Sequence, residues 1–95
     1  MPRKAFDLEL QTEILNEQAL SLGRCAKKLE ETLRALAGAN DENRDELIDI
    51  CAERAWFYVV QREAMGLSGS YAALDVYRVP TVVKARIGPR RATRR

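Results

Sequence analysis

Leucines recur every seven residues over the first part of the chain, at Leu8, Leu15, Leu22, Leu29 and Leu36. Four residues after each of the first four stand Thr12, Ala19, Ala26 and Leu33. This spacing is an a/d seam of about four heptads, with Leu at every d and mainly small residues at a. It predicts a helix from about Asp7 to Ala37, with Gly38 as a natural C′ residue. Gly23 inside it costs about 1 kcal/mol against Ala. Together with Ala19 and Ala26, however, it leaves a smooth strip that another helix can approach. The e and g flanks lack the opposed charges of a parallel zipper, so antiparallel packing is expected.

Gly38-Ala39-Asn40-Asp41 reads as a short turn. Asn40, Asp41 and Asn43 are all good N-caps, and Asn43 with Glu46 resembles a capping box. Acidic Asp41, Glu42, Asp45 and Glu46 suit the positive end of a helix dipole. A second helix is predicted from about 42 to 65, closed by Gly66 with Leu67 as the apolar partner of a Schellman cap. So short a connection makes the two helices antiparallel neighbours, the first overhanging by about two turns.

Trp56-Phe57-Tyr58-Val59-Val60 spans the whole circumference of the second helix at 100° per residue. A helix apolar all round is buried all round. One partner helix cannot do this, so the C-terminal segments, a second chain, or both are expected to cover it. Ser68-Gly69-Ser70 is a turn, with Ser70 the cap of a short helix over about 71–78 whose Tyr71, Leu74 and Tyr77 share a side. Pro80 opens another over 80–87, with Val79, Val83 and Ile87 on one face, stopped by Gly88-Pro89. Neither strand-like alternation nor a repeat of 20 to 50 residues is present. The pattern predicts an all-α fold: a long antiparallel helical hairpin plus two short C-terminal helices, as a dimeric bundle.

Composition narrows the chemistry. Ninety-five residues, 46% hydrophobic and 32% charged, make one soluble domain rather than a disordered chain. The absence of histidine removes imidazole general acid–base catalysis and His-containing zinc or di-iron sites. Two cysteines are too few for a thiolate metal site or a disulfide scaffold. If the turn centres near residue 40, Cys51 lies opposite about Leu29, one turn from Cys25, near the ~7 Å limit for a disulfide. Burial as small apolar side chains is the simpler expectation. No apolar run reaches the length of a membrane span, and Met1-Pro2-Arg3-Lys4 lacks the apolar region of a signal peptide. A cytoplasmic protein without cofactor or metal is expected.

The net charge of +2 hides an asymmetry. Residues 1–77 hold nine Lys/Arg and fourteen Asp/Glu, or −5; residues 78–95 hold seven Lys/Arg and no acid, or +7. Residues 1–88 are therefore taken as one helical domain and 89–95 as a basic flexible tail. Its Arg90, Arg91, Arg94 and Arg95 are candidates for weak phosphate contact with nucleic acid. The same basic stretch can equally rest on Asp41, Glu42, Asp45, Glu46 and Asp49.

Other constellations have plainer explanations. Glu9, Glu13 and Glu17 form an i,i+4 ladder, but they drift to the solvent side of the leucine seam rather than inward, where a carboxylate metal site would need them. Gly66-Leu67-Ser68-Gly69-Ser70 has neither the spacing nor the lysine of a phosphate loop, and one helix cap joined to another explains it. A helix–turn–helix reading would make residues 71–78 the recognition helix, whose first turn Tyr71-Ala72-Ala73-Leu74 offers little to base edges. Arg62 and Glu63 follow the aromatic run and need partners if dry; Arg62 and Tyr77 are candidate anchors for a small apolar ligand in the bundle core.

Ser21-Leu22-Gly23-Arg24, Gln61-Arg62-Glu63-Ala64-Met65-Gly66-Leu67, Tyr77-Arg78-Val79-Pro80 and Ala85-Arg86-Ile87-Gly88 resemble stretches of an uncharacterised family of short bacterial helical proteins, a domain of unknown function. The resemblance covers about residues 8–88 and leaves out the tail. It implies a bacterial cytoplasmic origin and assigns no site residue. The expected core and dimer interface are Leu8, Leu15, Leu22, Leu29, Leu33, Trp56, Phe57, Val59, Val83 and Ile87. The expected function is that of a non-enzymatic interaction or structural module that self-associates as a homodimer.

Overall fold

The computed structural model describes residues 2–88, with side chains from Leu8 onward. Four helices follow in order: α1 (Pro2–Ala37), α2 (Arg44–Ala64), α3 (Ser70–Val76) and α4 (Thr81–Lys84). No strand occurs among the described residues. Helix α1 starts five residues before the expected Asp7 because nothing between Pro2 and Asp7 opposes a helix. Proline itself is well placed at a first helical position, where its missing N–H is not needed. At 1.5 Å per residue, its 36 residues give a rod of roughly 54 Å, which sets the 63 Å long axis of the molecule.

The turn after α1 is built by two asparagines. Asn40 Oδ1 accepts from the backbone N–H groups of Glu42 (2.9 Å) and Asn43 (3.0 Å), and Asn43 Oδ1 accepts from the N–H of Asn40 (3.0 Å). This reciprocal arrangement is the capping box, moved three residues upstream of the expected Asn43–Glu46 pair; Asn43 caps nothing with its side chain at the α2 start. The first helical bond, Arg44 N–H to Asn40 carbonyl at 3.0 Å, shows why: the helical turn begins at Asn40, so Asn43 already sits at the third position. Gly38 follows the helix end without adopting the left-handed conformation. Its N–H reaches the carbonyls of Arg34 and Ala35, so the last turn tightens instead of reversing.

Helix α2 is the hub, packing against α1, α3 and α4. Its Ile48, Cys51, Ala52, Ala55, Tyr58 and Val59 are buried; from α1 the core takes Leu29 and Leu36, and from the C-terminal segments Leu74, Val79 and Val83. The predicted Leu22, Leu33 and Ile87 pack partly buried against it. The Schellman cap is present: Leu67 N–H to Arg62 carbonyl and Gly66 N–H to Glu63 carbonyl, both 3.0 Å, with Gly66 at φ 78°.

Four further expectations are corrected. The aromatic run is not buried all round: Tyr58 and Val59 are covered, Trp56 is half-buried, and Phe57 remains 53% exposed beside exposed Val60. The short C-terminal helices shield only one side of α2. Ser70 does not cap α3, because left-handed Gly69 (φ 67°) takes the cap position and Ser70 becomes the first helical residue, its buried Oγ without a hydrogen-bond partner among the described residues. On α3, Leu74 is buried and Tyr77 half-buried, but Tyr71 is exposed. Helix α4 is a single turn rather than two, and Val79, Val83 and Ile87 still turn to the core as their spacing predicted.

Candidate interaction surface

Antiparallel pairing brings Ser21 to Gln61, whose Oε1 accepts from the Ser21 hydroxyl at 3.3 Å. Helix α2 ends three residues later, at Ala64. Everything on α1 before about residue 17 therefore projects beyond its partner, roughly four turns instead of the two expected. The earlier start of α1 accounts for much of the difference. On this overhang Leu8, Leu10, Ile14 and Leu15 are 45 to 62% exposed. Leu8 and Leu15, placed in the core or dimer interface by the heptads, are thus not core of the single chain.

Where the overhang meets the hairpin, α1 and α2 form an open groove of about 210 Å³ lined by Ser21, Arg24, Cys25, Lys28, Arg54 and Phe57. Arg54 is held at its edge by a 2.8 Å hydrogen bond from Nη1 to Thr32 Oγ1, and the buried Thr32 hydroxyl in turn donates to the Lys28 carbonyl at 2.9 Å. Three cations thus surround a strip whose apolar part is the Phe57 ring. Sequence reasoning missed this site. Arg24 and Lys28 are spaced i,i+4 in the chain, but Arg54 and Phe57 join them only across the hairpin.

The other candidates lie outside this groove. Arg62 Nη2 donates to the Ser68 carbonyl at 2.8 Å, tying α2 to the loop that follows it, while its buried Nε has no hydrogen-bond partner among the described residues. Tyr77 meets Tyr58 edge to face, ring centroids 5.4 Å apart. Burial, followed by the hydrogen bond to Tyr58, pushes the Tyr77 hydroxyl above its ordinary pKa, opposed by the Arg62 charge. Arg62 and Tyr77 are therefore neighbours at the α2–α3 junction. Cys25 and Cys51 are both free thiols. Burial of Cys51 raises its pKa to about 11 against a partial counter-effect of Arg54, so it stays a neutral core side chain at physiological pH. Glu9, Glu13 and Glu17 are exposed. Arg90, Arg91, Arg94 and Arg95 lie outside the described residues.

The acidic start of α2 is paired with Arg86, which precedes the predicted tail. Arg86 Nη2 pairs with Asp45 Oδ1 at 2.8 Å and Nη1 with Asp49 Oδ1 at 2.9 Å. These hydrogen bonds raise the Arg86 pKa further. Lys84 pairs with Asp75 nearby. Both cations act as straps.

Residues 3–95 match a family of unknown function (DUF6665). The chain belongs to that family. The DUF6665 match runs beyond the resemblance seen in the short motifs at both ends, taking in the start of α1 and the basic C-terminal stretch. The overhang and the groove therefore both lie inside the DUF6665 unit. No curated protein and no solved structure matches the chain. No helix among the described residues is long and apolar enough to cross a membrane.

Proposed function

We infer that the protein is a small non-enzymatic helical interaction module of the bacterial cytoplasm that self-associates through the overhang of α1. One observation carries this reading. Leu8, Leu10, Ile14 and Leu15 stand largely in solvent within about two turns, while Leu29 on the same helix is fully buried. Isolated exposed leucines are ordinary on protein surfaces, but four large apolar side chains gathered on one half of a projecting helix's circumference are what interfaces use. A helix supported from one side only gains most of its stability when that face is covered. The two free thiols, one of them fully buried, fit a reducing compartment.

Size-exclusion chromatography with light scattering, at several concentrations and moderate salt, tests the reading. The expected mass is twice the 10.8 kDa of the chain. A mass of one chain at every concentration would overturn it.

A further inference from the structure

The covering surface can be specified from charge. On the overhang, Glu13 and Glu17 flank exposed Leu10 and Ile14. One stretch further along the same helix, Arg24 and Lys28 flank the groove that holds Phe57 and Arg54. Among the described residues, none of Glu13, Glu17, Arg24 and Lys28 has an ion-pair partner in its own chain. At 100° per residue, Leu10, Ile14, Glu17, Ser21, Arg24 and Lys28 fall within about 80° of one another, on one side of α1, and Glu13 lies just beside them. One helical face is thus acidic and apolar in its first half, and basic with an aromatic ring beside it in its second.

The two halves are also evenly spaced. Ala19 marks the midpoint: Leu10 and Lys28 lie nine residues to either side, Ile14 and Arg24 five, Glu17 and Ser21 two. A two-fold axis level with Ala19 lays a second α1 antiparallel on the first, with every acidic turn facing a basic one. Such an axis demands a patch complementary to itself, which this face is and a uniformly charged face is not. Under that operation the second copy's α2 stands beside the overhang, so that Phe57 of each copy comes to Ile14 of the other.

We propose that the partner of the overhang is a second copy of this chain, running antiparallel, with Leu10, Glu13, Ile14 and Glu17 of each copy seated in the Arg24–Lys28–Arg54–Phe57 groove of the other. This rests on the self-association inferred above and adds its geometry. Opposed charges of this kind set register and exclude wrong partners, and reversing one side places like charges together.

The test uses the full chain with two double variants, Glu13→Arg/Glu17→Arg and Arg24→Glu/Lys28→Glu. All four side chains are exposed, and unchanged far-ultraviolet circular dichroism confirms that each variant folds. Each variant alone is expected to weaken self-association by about tenfold or more, and an equimolar mixture to restore it as a heterodimer. A wild-type chain that is monomeric removes the inferred function itself. Wild-type dimers whose strength is untouched by either reversal leave that function standing and overturn the antiparallel geometry. So would dimers broken by Leu8→Gln/Leu15→Gln yet indifferent to both charge reversals, because they would use the heptad seam instead.

Discussion

In the C-terminal half of α1, Leu29 and Leu36 lie sealed against α2. In the N-terminal half, Leu8 and Leu15 occupy the same d positions of the same heptads and stand mostly in solvent. Sequence period alone does not separate them. Both halves carry the leucines, both form helix, and the rise per residue is the same. What differs is the second element: α2 is 21 residues long against 36 for α1, so it reaches only the nearer half. A hydrophobic period fixes a helix and its face, whereas the length of the neighbour decides how much of that face the chain can bury by itself.

The largest expected effect comes from truncating a leucine in each half. Leu29→Ala removes a fully buried side chain from the centre of the core and should cost about 2–5 kcal/mol. Leu15→Ala, at the equivalent heptad position, should change the stability of the isolated chain by no more than about 0.5 kcal/mol, since the exposed side chain leaves no cavity and Ala is a good helix former. Urea unfolding of the two variants at low protein concentration measures both. Equal costs would mean that the overhang is packed even in the single chain, and the contrast between the halves would collapse.

This contrast also marks what was legible in the chain. The helical hairpin, the Gly66 Schellman cap, and the inward turn of Val79, Val83 and Ile87 all follow from short-range rules in which one residue type at one position has one dominant reason. The Asn40–Asn43 box differs from the expected Asn43–Glu46 only because several good caps stand close together, and local sequence does not rank them. The aromatic run was harder. Five apolar residues in succession indicate demand for burial but not its supply, and the two short C-terminal helices cover Tyr58 and Val59 while leaving Phe57 outside. The groove was out of reach for a related reason: Arg54 and Phe57 meet Arg24 and Lys28 only after the hairpin closes, and no sequence spacing announces contacts across thirty residues.

An intermediate effect should come from the strap that holds the C-terminal segment to the hairpin half. Arg86 bonds to both Asp45 and Asp49, with Asp49 and the guanidinium about three-quarters shielded from solvent. A geometry in which one guanidinium holds two carboxylates is the kind of ion pair that contributes measurably at a surface. Arg86→Ala is expected to lower stability by about 1 kcal/mol, seen as a reduced melting temperature, and to make the remaining stability less sensitive to salt. Because the strap joins α2 to the segment after α4, the overhang and its association should be unaffected. An unchanged melting temperature would show that burial of Val79 and Val83 holds the C-terminal segment without help.

The smallest effect has the opposite sign. Arg78 follows α3 at φ 57°, the left-handed conformation that disfavours any side chain beyond glycine by roughly 1 kcal/mol. The cap explains the strain: Val79 N–H bonds to the Leu74 carbonyl at 3.3 Å and Arg78 N–H to the Asp75 carbonyl at 3.0 Å, repeating at the end of α3 the arrangement that Gly66 makes after α2. Reversing the chain there delivers Val79 to the core beside Leu74, and both are buried. Arg78→Gly relieves the strain but loosens the unfolded chain, so the net gain should be about 0.5 kcal/mol. It falls in the hairpin half, away from both the overhang and the groove. Thermal unfolding should register the gain while light scattering finds the same association as in the wild-type chain. A variant that folds more stably yet associates differently would show that the two halves of α1 are coupled through the hairpin, and that the overhang is more than a face left uncovered by a short neighbour.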